Sequence, residues 1–320
     1  MKQMTKASLA ALCTALVAAL IAVPVRVVEL VKFVEPETGF WSGSSASFYV
    51  ILGLALVVLV VALITSLKEK KSAVTALPEK KNIPLGIVSL LLTVAFVGDA
   101  VTCAVNAINL QATFNPYSMT YAYFMISTGF LATICQAVFA ILSALYIMVY
   151  AINQFNGKGS YKTIAVLSMN PILWGIARLM VHFVEPIRYL NVSQLTLEIL
   201  FLIFALVYLF KMVRVASDVG AEGAGWVMGF TGPVAAFLGY VSAFAPFCLL
   251  IAGKSSYICE SYPMQWVDLA LAIFFTATLI VYAPKKNQPV SEPVAEELPE
   301  EPDDAVDPDA PSVTAGGRRA

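Results

Sequence analysis

Val31-Lys32-Phe33-Val34-Glu35-Pro36 returns 150 positions later as Val181-His182-Phe183-Val184-Glu185-Pro186, with five of six residues unchanged. The match extends beyond the motif. At the same offset, Leu52-Gly-Leu-Ala-Leu-Val-Val-Leu59 lies over Leu202-Ile-Phe-Ala-Leu-Val-Tyr-Leu209. Further on, an offset of 145 aligns Cys103 with Cys248, Tyr117 with Tyr262, Met119 with Met264 and Phe130 with Phe275. One change of loop length separates these runs. The chain therefore reads as a duplication.

What was duplicated follows from composition. Hydrophobic residues make up 59% of the 320, charged residues 13%, and the mean hydropathy is +0.80. Ordinary soluble domains carry roughly 25% charged residues. Apolar runs of about 20 residues cross a bilayer as helices. Such runs fall at 7–27, 47–67, 84–108, 118–151, 161–182, 195–216, 225–252 and 264–283. The first resembles a signal peptide, but its repeat partner at 161–182 is internal, so both are read as retained spans.

Lysine and arginine placement orients the spans, because cytoplasmic loops collect these residues. With the N-terminus inside, 15 of the 20 fall on the cytoplasmic side, and Arg26, Lys32, Arg178, Arg188 and Lys254 fall outside. The expected protein is all-α and integral to the plasma membrane, with eight transmembrane helices and both termini cytoplasmic. Residues 1–152 and 153–286 form two parallel four-helix repeats. An even number of spans per repeat predicts a pseudo-two-fold axis along the membrane normal.

Within the spans, Asn170-Pro171 predicts a kink, because proline removes a backbone donor. Small residues in Gly225-Trp-Val-Met-Gly229 and Ala235-Ala-Phe-Leu-Gly239 predict close helix approach. Residues 287–320 differ sharply. Nine acids lie between Glu292 and Asp309 among repeated prolines, a composition that predicts a disordered acidic tail. A solvated cytoplasmic end explains that tail better than a specific docking motif, and a surface for a protein partner is the alternative. Without the nine acids, Arg318 and Arg319, the membrane part has 18 basic against 12 acidic residues. Contact with a bilayer accounts for that balance, and nucleic acid is not implied.

Candidate site residues are the charges inside the spans. Pro36 and Pro186 predict helix stops that place Glu35 and Glu185 at the outer surface. Local pairing with Lys32 and His182 explains them, and so does a pair of facing carboxylates that gates the outer side. Arg178, His182 and Glu185 share a helical face at spacings of four and three. Asp99 and Glu198 have no acid at the matching position of the other copy. Buried charges are retained where they are paired or face water. Asp99, Arg178, His182, Glu185 and Glu198 are therefore expected to line a polar, outward-opening cavity, or else to form an interhelical ion-pair lock without a ligand.

No nucleotide-binding loop, zinc-protease motif or nucleophile elbow is present, and neither an enzyme, a cofactor nor a metal is expected. Five cysteines without a Cys-x-x-Cys pair, alongside one histidine, give a zinc site no support. Disulfides of Cys259 with Cys248 or Cys103 are allowed but not established by spacing. Two functional classes follow: a small-solute or ion permease, or a non-transporting sensor, accessory subunit or scaffold.

Overall fold

In a bilayer every backbone N–H and C=O must find its partner within the protein, so the long apolar runs can be satisfied only as helices. The computed structural model describes residues 6–37, 39–40, 46–68, 81–117, 119–157, 166–184, 193–217, 224–258 and 264–282. Among these, helices are α1 (Lys6–Lys32), α2 (Ala46–Lys68), α3 (Ile83–Ala112), α4 (Tyr121–Ser127), α5 (Phe130–Asn156) and α6 (Asn170–Val184). They are followed by α7 (Ser193–Ser217), α8 (Ala224–Gly239), α9 (Ala245–Ile251) and α10 (Trp266–Tyr282). Seven stretches are long and apolar enough to cross a membrane. The described part of the expected eighth, α10, has 17 residues. At about 1.5 Å per residue it falls short of a hydrocarbon core of about 30 Å. Met1–Lys286 is one compact unit. The expected acidic tail, 287–320, lies outside the described residues.

Two spans differ locally from expectation. The run at 118–151 is not one helix: it breaks between α4 and α5 at Gly129, whose φ of 73° is left-handed and favours a residue without Cβ. Asn170-Pro171 does not kink a helix either. A short 3₁₀ turn at 166–169 leads into α6, and Pro171 sits in its first turn, where a missing N–H leaves nothing unsatisfied. Asn170 Nδ2 donates to the Leu167 carbonyl at 2.9 Å and holds that junction.

Sequential hairpins recur in both halves: α1 with α2, α3 with α5, α6 with α7, α8 with α10. Packing between hairpins does not. α8 is central and touches α1, α2, α7 and α10. A two-fold relation would pair α3 with α7 as α8 pairs with α2, and no comparable pairing exists among the described residues. Glycines explain the difference. A Cβ on Gly239 would lie 2.8 Å from the Phe201 ring and 2.9 Å from Ala272 Cβ, and one on Gly232 would lie 2.8 Å from the Tyr208 ring. The 145-residue offset puts Ile87 and Val94 at these positions in the first copy. Both are exposed on the outside of the bundle. The copy with glycines goes to the centre, and the copy with β-branched residues stays at the rim. Gly239→Ala should therefore destabilise the fold by about 1–3 kcal/mol, read as a lower unfolding midpoint in detergent, since Ala272 Cβ is fixed to its own helix.

Between α8 and α9, residues Tyr240–Phe244 form a π-helical turn. Pro246 lacks the N–H that would bond the Ser242 carbonyl in a regular helix. That carbonyl instead accepts from Gln194 Nε2 on α7 at 3.1 Å.

Candidate functional site

Charged residues of α1, α3, α6, α7 and α10 gather in the half of the bundle where α1 ends at Lys32. Arg178 on α6 is 3% exposed and binds Asp268, in the first turn of α10, with both guanidinium nitrogens; Nη2 lies 2.9 Å from Oδ2. Arg178 Nη2 is also 3.7 Å from Glu198 Oε2 on α7, and His182 Nε2 is 3.6 Å from the same oxygen. Neither ring nitrogen of His182 makes a hydrogen bond among the described residues. One turn below, the Arg178 guanidinium lies 5.6 Å from the centre of the Trp174 ring.

Trp174 carries the arrangement across to α3. Its Nε1 donates to Asp99 Oδ2 at 2.7 Å, and Gln136 Nε2 on α5 donates to the same oxygen at 3.2 Å. Cys103 Sγ is a weak third donor at 3.9 Å. All three are uncharged. Asp99, 6% exposed, has no ion-pair partner among the described residues.

A second buried pair joins from α1. Arg26 and Glu29, both with fully buried side chains, are 2.8 Å apart. Arg26 also donates to Ser193 Oγ at 2.7 Å and to Gln194 Oε1 at 2.8 Å. Gln194 Nε2 in turn donates to Glu198 Oε1 at 2.9 Å and to the Ser242 carbonyl. A polar chain thus runs from α1 through α7 to α6 and α10, with the π-helical turn tied in by one amide. Low local dielectric strengthens such a network when each member is satisfied.

Next to it lies a cavity of about 940 Å³. Asp99, Gln136, Arg178, His182 and Glu198 form its polar wall. Leu91, Val94, Phe244 and Trp266 form an apolar side, and each is at least 38% exposed on the outside of the bundle. Toward the Lys68 end the polar wall stops. Phe96 and Trp174 meet edge to face at 5.0 Å, and Tyr150 meets Phe274 at 6.2 Å, all four fully buried.

The structure brings four of the five expected cavity residues together: Asp99, Arg178, His182 and Glu198. Glu185 lies outside the described residues. Glu35 is exposed and sits apart from the cavity, in a turn where its N–H donates to the Phe40 carbonyl at 2.9 Å. Arg26 is buried in the bundle, not on an outer loop. Cys103 and Cys248 are free thiols, and Cys259 lies outside the described residues. Sequence reasoning missed Asp268, Arg26, Glu29, Gln194 and Trp174. For the first three a signal existed, because each is a charge inside an otherwise apolar run. Gln194 and Trp174 had none, since an amide and an indole are ordinary near a membrane interface. Comparison with family models, with characterised proteins and with solved structures gives no match for this chain.

Proposed function

We propose that this multi-pass membrane protein binds a small solute or ion in the cavity at the Lys32 end, as a permease does on one side of its cycle. In this reading α10 completes an eighth span, the two halves descend from one four-span unit, and both termini are cytoplasmic at the plasma membrane. The cavity then faces outward. One observation carries the proposal: a space of about 940 Å³ bordered by the buried charges Asp99, Arg178 and Glu198 and the half-buried His182. Ligand sites typically occupy about 300–1,000 Å³, mostly apolar with a few placed polar groups.

A second reading is favoured by the aromatic floor. Below Asp99 and Gln136, the Phe96–Trp174 and Tyr150–Phe274 pairs offer a solute no polar path toward the Lys68 end. A sensor or accessory subunit that binds without transporting would have such a floor, and the acidic tail would be its surface for a protein partner.

Native mass spectrometry of protein released from nanodiscs of its own membrane tests binding. A Cβ on Gly98, which lines the cavity, meets nothing within 4 Å, so Gly98→Phe fills the space without a clash at its base. The proposal expects a bound molecule that this variant loses. A bare mass for the parent protein, or equal retention by both, overturns it. Counterflow of the identified molecule in proteoliposomes then separates the permease from the sensor.

A further inference from the structure

We infer that the ligand is a cationic amphiphile, an ammonium head group on an alkyl chain, with the head group at Asp99 and the chain between α3 and α10. This rests on the binding role just proposed and names its ligand class.

Charge selects the head group. Around the cavity, Asp99, Glu198 and Asp268 face one fixed cation, Arg178, while Arg26 and Glu29 balance each other. Asp268 sits behind Arg178 and outside the lining, so with His182 neutral the wall itself carries two carboxylates, Asp99 and Glu198, against one guanidinium that Asp268 already engages. Arg178 is held by Asp268 and Glu198, which leaves Asp99 as the carboxylate with only uncharged donors. A carboxylate in a low-dielectric site gains most from a cation brought into contact. An anionic ligand would meet this surplus, with the single guanidinium already occupied.

Geometry argues against a bare metal ion. Among the described residues no three His, Cys, Asp or Glu side chains gather to hold one. Calcium, the commonest oxygen-bound case, takes about six to eight oxygen ligands. An ammonium needs fewer acceptors. It hydrogen-bonds one carboxylate and neighbouring neutral oxygens, and Thr102, Thr133 and Asn106 all line the cavity.

The apolar side selects the tail. Leu91 and Val94 belong both to the cavity and to the outward stripe of α3 that includes Ile87, Val97 and Val101. Across from them, Leu269 and Ile273 of α10 line the same space. The cavity is therefore continuous with the surface that meets lipid, and an alkyl chain can lie partly in the protein and partly among acyl chains. Each CH₂ buried there favours that placement over water.

The test is equilibrium binding of radiolabelled dodecylamine to the full chain in phosphatidylcholine nanodiscs, with binding to empty nanodiscs subtracted. Saturable binding is expected, at least tenfold weaker for Asp99→Asn and for Gly98→Phe. Dodecanoate should show no saturable component, and butylamine should bind at least tenfold more weakly than dodecylamine. Thermal unfolding profiles identify any variant that fails to fold, and Gly98→Phe leaves every charge in place. Equal binding of dodecanoate, equal binding of butylamine, or full affinity in a folded Asp99→Asn variant overturns the assignment. If dodecylamine does not bind while native mass spectrometry finds another molecule that Gly98→Phe excludes, the ligand class fails and the binding role stands. If neither is found, both fail.

Discussion

Arg178→Ala is expected to lower the unfolding free energy by about 3–5 kcal/mol, because it leaves Asp268 and Glu198 as buried carboxylates without their cation. Both are at most 2% exposed, so water cannot replace the guanidinium. Solvation by lipid offers nothing in its place. Asp268→Ala should lose a comparable amount by stranding the guanidinium. The double variant Arg178→Met/Asp268→Leu removes both members of the bidentate contact and should recover a substantial part of the loss. Reversible unfolding of the purified protein in mixed micelles measures all three, and adding the singles Arg178→Met and Asp268→Leu completes the double-mutant cycle that isolates the pair from the rest of the site. Additive losses in that cycle would show that the contact does not stabilise the bundle.

Arg26→Met should produce an effect of the same order, about 3–5 kcal/mol, at a different seam. It takes the partner from Glu29 and two donated hydrogen bonds from Ser193 and Gln194. Because Gln194 also holds Glu198 and the Ser242 carbonyl, the loss extends to the π-helical turn that supplies Tyr240 and Phe244 to the cavity. Hydrogen exchange at residues 242–248 should therefore quicken in Arg26→Met, although α1 is a different helix. Pairing it with Glu29→Leu should restore much of the stability and leave the faster exchange, since the Gln194 contact is still missing. Unchanged exchange there would mean that the chain of contacts from α1 does not hold the turn.

The two predictions concern residues of unequal legibility. Asp99, Glu198 and Arg178 are conspicuous as charges within apolar runs. Their partners were not legible. The sequence offered Asp99 and Glu198 alike to Arg178, yet Arg178 takes Asp268 and Glu198, and Asp99 takes Trp174 and Gln136 instead. Which acid meets the arginine depends on how the helices neighbour one another, and nothing in a single helix records that. The expected facing of Glu35 and Glu185 rested on a symmetry axis. The described packing does not follow one, because Gly232 and Gly239 admit neighbours at distances that Ile87 and Val94 forbid.

What the sequence by itself determined is the class of protein and the places where its helices run. Those properties are local: an apolar stretch of sufficient length must close its own backbone hydrogen bonds, wherever its neighbours lie. The opening motif also marks where α1 stops, at Lys32, three residues before Glu35, while residues 185–192 after the described part of α6 lie outside the described residues. Only the tertiary structure decided that α8 occupies the centre, that Gln194 caps the carbonyl freed by Pro246, and that Arg26 takes Glu29, Arg178 takes Asp268 and Glu198, and Asp99 has no ion-pair partner among the described residues. Those outcomes depend on distances of a few ångströms between residues up to 168 positions apart, and at that scale one Cβ changes which side chains can meet.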